Sequence, residues 1–472
     1  MASRRSLLAW ACLLFVLLLL AFGGAPVDAR PAPGSSAHHR RLVPRRILST
    51  NAPESVLATG GDATVAFKKT GPSSLHRKLA GARKGAPESG GGDLNVESFG
   101  AAGDGKTDDT KAFTSAWAKA CSSAQPAVVL VPAGKKYLIK ETPSSGPCMS
   151  QVTFQSDGTL VAPEDKSNWN KNGYPHWVSF TNVDSLTVVG KGTLDGTGKS
   201  SWKNSCRTNH KRPCTFAPAA LTFTSCSHLK VQNITLVNSP QIHLLIQNSK
   251  DVTLSYLTIT SPGSSPEADG IHISHTEDIK IIKPVIKAGD DCISIATGTR
   301  TCMPTKLSAA RGTELASGAQ VSNITIYTAH LTGTMYGARI KTWQGGSGYA
   351  KDIKFLNMVM DNVKNPIYID QFYCTQPNPS KPKPCEEQKS AVQISNILFK
   401  NIKGTSATKD QDLPCRDVVL EDIDLKMKSG GKKNAAMSSC ENVMLSKSSS
   451  VSPAPCISAA TKHDQVPEDS SD

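Results

Sequence analysis

Long apolar runs are scarce in this 472-residue chain. After one stretch near its start, no segment approaches the ~20 residues that a membrane-spanning helix needs. A body of several membrane-spanning helices is thereby excluded. Cys-x-x-Cys pairs are absent, and no histidine pair at ligand spacing stands beside the cysteines, which excludes the common structural zinc sites. Helical periodicity is confined to residues 108–121, where Phe113, Trp117 and Ala120 recur at helical spacing behind two acids. One helix cannot make a bundle, so an all-α fold is excluded too. Regularly spaced Asn-Gly or Asp-Gly hairpins are missing, which weighs against the antiparallel blades of a β-propeller. Acids are the minority charge: 39 against 53 basic residues, for a net +14.

The early apolar stretch has the form of a secretory signal over residues 1–29. Arg4 and Arg5 start it, residues from Leu7 to Phe22 are almost wholly apolar, and Val27-Asp28-Ala29 offers a small-residue cleavage site. A membrane anchor is the other reading, but the run is short and Gly23-Gly24-Ala25-Pro26 breaks it. Export to the extracellular space is therefore expected, with no membrane attachment once the signal is removed. Of 13 cysteines only Cys12 lies in the signal, leaving an even number for an oxidising compartment. Cys206 and Cys214, Cys374 and Cys385, and Cys440 and Cys456 are candidate local pairs. Asn233-Ile234-Thr235 and Asn323-Ile324-Thr325 have the form of glycosylation acceptors, or of asparagines packed in repeat turns.

Residues 30–92 are rich in Pro, Gly and Ser, with 11 basic residues against three acids and no apolar periodicity. This composition predicts a linker or a removable pro-segment. Basic segments often bind nucleic acid, but export argues against that partner. Residues 461–472 form an acidic tail. The body between, 93–460, still carries +8, a field that attracts an acidic polymer.

That body repeats itself. A polar residue precedes an alternating apolar set in Asp251-Val252-Thr253-Leu254, Asp278-Ile279-Lys280-Ile281, Asn323-Ile324-Thr325-Ile326, Asp352-Ile353-Lys354-Phe355 and Asn396-Ile397-Leu398-Phe399. Asp184-Ser185-Leu186 and Asp417-Val418 fit the same pattern, and His228-Leu229 fits it loosely. The first apolar residues lie at 186, 229, 252, 279, 324, 353, 397 and 418. Their steps cluster near one or two multiples of a coil of 21–29 residues. Short β-branched strands at such a period predict an all-β fold, a parallel β-helix capped by the helix at 108–121.

Residues one coil apart then lie about 5 Å apart along the axis. Asp269 and Asp290 differ by 21 positions and should share one face on neighbouring rungs. Arg339 and Lys341, two coils further on, point the same way along a strand. Strict alternation would separate Asp290 from Asp291, so the strand should bend or end there. Each element alone suits a turn or an exposed strand. Together they suit glycosidic hydrolysis, with one acid donating a proton, another activating water, and cations holding an acidic sugar.

The residues that carry this chemistry also resemble a family. Residues 94–457 are similar to plant polygalacturonases of glycoside hydrolase family 28. The likeness runs through Phe99-Gly100-Ala101-Ala102-Gly103-Asp104-Gly105, Gly192-Thr193-Leu194-Asp195-Gly196, Asp269-Gly270-Ile271-His272 and Gly289-Asp290-Asp291-Cys292. It continues in Arg339-Ile340-Lys341-Thr342-Trp343 and Asn365-Pro366-Ile367-Tyr368-Ile369-Asp370. The resemblance implies a right-handed, single-stranded coil that cleaves α-1,4-linked galacturonan with inversion, without metal or cofactor. It implies a secreted monomer acting on pectin in the cell wall. By residue matching Asp290 is the general acid, Asp269 and Asp291 activate water, Arg339 and Lys341 bind substrate, and Tyr373 lines the cleft. A pairing of Cys292 with Cys302 is also implied. Two departures stand out: Glu267-Ala268-Asp269 keeps only the Asp of the family's Asn-Thr-Asp, and Gly-His-Gly is absent, with Lys306 near the place of its His. The alternative is thus a homologue that binds pectin but is impaired in turnover. A lyase is a third option, less suited to these acids.

Overall fold

The polar residue that opens each repeat stands at a bend of the backbone, near the start of a strand at Asp251 and Asp278 and inside a longer one at Asn323, Asp352 and Asn396. Asp251, Asp278, Asn323, Asp352 and Asn396 all take left-handed backbone angles, with φ between 49° and 58°. Asn and Asp tolerate that region better than other residues with a Cβ. Their side chains also stack from rung to rung, as where Asn396 Nδ2 donates to Asp352 Oδ1 at 2.6 Å. The recurring polar letter is therefore a corner, and the apolar letters after it form the inward column of a strand.

The computed structural model describes residues 93–165, 169, 176–205, 217–307, 313–315, 319–343, 345–373, 391–407, 418–428, 436–439 and 445–455. The expected signal (1–29), basic segment (30–92) and acidic tail (461–472) lie outside them. So do the three expected cysteine pairs. Described strands form parallel sheets of 13, seven, six and three strands, each strand bonded to those one coil before and after. One coil runs through Lys250–Ser255, Thr258–Thr260 and Ile271–Ser274. The next runs through Glu277–Ile282, Val285–Lys287 and Ile293–Ile295. This is the right-handed, single-stranded parallel β-helix anticipated above.

The repeat positions fall into one column: Leu229, Val252, Ile279, Cys302, Ile324, Ile353, Ile397 and Val418 are successive partners. Ile279, Cys302, Ile353 and Ile397 are completely buried, each aliphatic member contributing about 1.5–3 kcal/mol. The column revises the spacing argument. The 45-residue step holds an extra rung, at Cys302. The 44-residue step is a single coil with a long excursion, since Ile353 pairs directly with Ile397. Cys302 itself is a free thiol turned into this core, so it does not pair with Cys292.

The helix Thr110–Cys121 buries Phe113, Ala116, Trp117 and Ala120. Its rings close one end of the core, Phe113 meeting Tyr137 at 5.6 Å and Trp117 meeting Phe180 at 5.1 Å between centroids. Asp109 ties the entrance down, its carboxylate accepting from the backbone of Ala102 at 2.6 Å and Gly103 at 3.2 Å. Cys121 is bonded to Cys148, a disulfide that local spacing did not suggest.

Candidate active site

Two strands one coil apart set the site. In Ile271–Ser274 and Ile293–Ile295, Ile271 pairs with Ile293 and His272 with Ser294. The ladder continues past the strand ends, where Gly270 N–H donates to Asp291 C=O at 2.8 Å and Ile271 N–H to Cys292 C=O at 3.0 Å. Asp269 therefore stands level with Asp291 rather than with Asp290, a register of 22 residues where 21 was expected. The chain bends between Val285–Lys287 and Ile293–Ile295, as adjacent acids in one site require. One oxygen from each of Asp269, Asp290 and Asp291 then lies within 4.8 Å of the others.

Two glycines let the backbones come this close. A Cβ on Gly270 would meet the Cys292 carbonyl oxygen at 2.4 Å, and one on Gly289 the Ser265 carbonyl oxygen at 2.1 Å. Behind Asp269 stands a fully buried histidine. His243 Nδ1 lies 2.7 Å from the Asp269 carbonyl oxygen, while its Nε2 accepts from the backbone N–H of Ser239 at 3.3 Å. One nitrogen must donate and the other accept, so the ring is neutral with its proton on Nδ1. Burial holds its pKa down, in keeping with that state.

Asp291 is 8% exposed and its Oδ1 has no hydrogen-bond partner. Burial first, then Asp269 and Asp290, push its pKa up to about 8, while Lys341 and Arg339 pull it back. The acids and the bases thus share one electrostatic neighbourhood. Both bases come from the strand Tyr336–Trp343. Lys341 is only 6% exposed. The Arg339 guanidinium lies 4.1 Å from the centre of the Tyr336 ring and 5.7 Å from that of Tyr368, and the two rings are 4.8 Å apart. Arg339 Nε makes no hydrogen bond within the protein. Tyr373 ends the strand Asn365–Tyr373, paired with Trp343; its side chain lies outside the described residues, as does that of Lys306.

No role for Tyr336, Tyr368, His243, His272 or Ser294 was legible from the sequence. Tyr368 had a signal: the 29-residue step between Ile324 and Ile353, applied to Arg339, lands on it. Three oxygens this close can also hold a cation, yet calcium takes about six to eight oxygen ligands. With a proton on Asp291 the cluster suits acid–base chemistry better.

Comparison with known proteins agrees with this architecture. Residues 121–452 match the model of the glycosyl hydrolases family 28. A polygalacturonase of Malus domestica is 44% identical over 71% of this chain and 74% of its own. Polygalacturonase-2 of Solanum lycopersicum is 41% identical, over 79% and 82%. Among solved structures, a polygalacturonase from Erwinia carotovora ssp. carotovora has the same fold, with a TM-score of 0.60 at 21% identity over 72% of this chain and 94% of that one. The chain belongs to the glycosyl hydrolases of family 28.

Proposed function

We propose that the protein hydrolyses α-1,4-galacturonosidic bonds of pectin-type polymers in the extracellular wall. Asp290 acts as general acid, Asp269 and Asp291 flank the attacking water, and Arg339 and Lys341 hold the substrate's carboxylates. One observation carries the reading: three carboxylates gather with oxygens within 4.8 Å of one another, and Lys341 and Arg339 act electrostatically on one of them, Asp291. Carboxyls crowded this closely cannot all ionise, so the cluster retains a proton near neutral pH. In the free protein burial places it on Asp291. On substrate binding that proton passes from Asp291 to Asp290, half-buried beside it and the more accessible of the pair, and Asp290 gives it to the leaving oxygen. Asp269 then takes one from water. The water oxygen bonds to the anomeric carbon as the glycosidic C–O bond breaks.

Lys341 favours an anionic substrate in particular. Its ammonium and the Arg339 guanidinium are the cations that act on Asp291, and they complement the carboxylates of an acidic sugar. A complete acid set supports turnover over a binding-only homologue. The signal-like residues 1–29 and the relatives named above support action on wall pectin outside the cell. The test is release of reducing ends from polygalacturonate by the mature protein. Asp290→Asn should lose at least about a hundredfold in kcat. Undiminished hydrolysis by that variant would overturn the assignment, and tight binding without product would favour the impaired homologue.

A further inference from the structure

We infer that His272 is a positioning residue that orients the Asp269 carboxylate through the hydroxyl of Ser294. The inference rests on the hydrolase reading above. His272 and Ser294 are register partners on adjacent rungs, so their side chains emerge side by side on the same face of the sheet. His272 Nδ1 is 2.8 Å from Ser294 Oγ, and Ser294 Oγ donates to Asp269 Oδ2 at 2.9 Å. The imidazole is 3.9 Å from that same oxygen, too far for a direct hydrogen bond.

Donor accounting gives the chain its direction. Ser294 gives its single hydroxyl hydrogen to Asp269 Oδ2. The remaining contact of Ser294 must be received, which makes His272 Nδ1 a donor. The histidine thus fixes the rotor of a serine that is 3% exposed, and the serine fixes Oδ2 of Asp269. Oδ1 is left to face the attacking water. A carboxylate pinned at one oxygen and at its backbone carbonyl, the latter by His243, cannot swing away from the reacting atoms.

The position of the donor nitrogen supplies the test. Asparagine can place an N–H where Nδ1 sits, whereas glutamine places it nearer the position of Nε2. Steady-state hydrolysis of polygalacturonate and thermal melting are measured for His272→Asn, His272→Gln, Ser294→Ala and the unmodified protein. Because a misplaced reacting group costs up to about a hundredfold, His272→Gln and Ser294→Ala should lose roughly 10–100-fold in kcat, with KM within about twofold. His272→Asn should stay within about threefold of the unmodified kcat, since it restores the donor. Equal loss in Asn and Gln variants, an unchanged kcat in Ser294→Ala, or losses that follow a fall in melting temperature would overturn the inference alone. An unmodified protein that releases no reducing ends would overturn the hydrolase reading, and the inference with it.

Discussion

Gly270 donates its backbone N–H to the carbonyl of Asp291 across 2.8 Å, one rung away. This contact belongs to the sheet ladder, yet it decides the electrostatics of the site. It sets Asp269 beside Asp291 and leaves Asp290 one residue outside the pair. Asp291, the most enclosed of the three, is the acid that burial and its two neighbours disfavour as an anion.

A stability consequence follows with a definite sign. Asp291 is raised from 3.8 to about 8 in the folded protein. Between those values the native state binds the extra proton, so this group's contribution is full below pH 4 and is lost as pH rises to about 8. Asp291→Asn keeps the shape and removes the titration. Three pH units at about 1.4 kcal/mol each bound the gain at pH 7 at about 4 kcal/mol. The variant should melt higher than the unmodified protein at pH 7, by a margin that shrinks toward pH 4, while hydrolysis falls at least about a hundredfold. A melting difference independent of pH would show that Asp291 does not hold the proton.

Gly289 carries a steric prediction. The atom its Cβ would strike is backbone, the Ser265 carbonyl oxygen at 2.1 Å, in the connection 261–270 that leads to Asp269. Backbone cannot rotate aside as a side chain does. Gly289→Ala should therefore push the two acid-bearing connections apart, costing roughly 1–3 kcal/mol in stability and about tenfold or more in kcat. Gly263→Ala is the control, because a Cβ there meets nothing within 4 Å. Equal behaviour of the two variants would rule out close approach as the reason for Gly289.

Tyr336 and Arg339 make a third. The guanidinium is held by ring faces, and Nε is not spent on a hydrogen bond within the protein. Such a contact is worth about 0.5–2 kcal/mol. Tyr336→Ala should accordingly raise KM for polygalacturonate about three- to tenfold, while Tyr336→Phe, which keeps the ring face, stays near the unmodified value. A matching KM defect in the Phe variant would move the role from the ring to the hydroxyl.

Much of this architecture was legible because the β-helix writes its period in small letters. Corner Asp and Asn residues need a left-handed backbone, and the apolar residue after each must face inward, so both recur wherever a coil begins. What failed to show was length taken outside the coil. The 44-residue step looks like two coils until Ile353 is seen to pair with Ile397. The Cys302 rung was hidden because Thr301, not Asp or Asn, holds its left-handed corner. The acids were found by chemistry, but their register was off by one, because a bend between strands carries no alternation to count. His272 was missed since its partner Ser294, 22 residues on, has no signature of its own; only stacking makes the pair.

The spacing of the carboxylates bears on stereochemistry. Inverting glycosidases usually hold their two carboxyl groups about 6.5–9.5 Å apart to admit water, whereas retaining enzymes keep them about 5–5.5 Å apart. Here the nearest oxygens of Asp269, Asp290 and Asp291 come within 4.8 Å, which by distance alone would suit a covalent intermediate. The burial of Asp291 argues the other way. A nucleophile must be ionised, and Asp291 is the acid whose ionisation the site opposes most. Asp269 is tied through Ser294 at Oδ2, which suits a carboxylate held still to orient water at Oδ1 more than one that must advance onto an anomeric carbon. Proton NMR of freshly released oligogalacturonides should therefore show the β-anomer first, followed by mutarotation. First appearance of the α-anomer, together with a trapped glycosyl-enzyme on Asp269, would replace water activation by a double displacement.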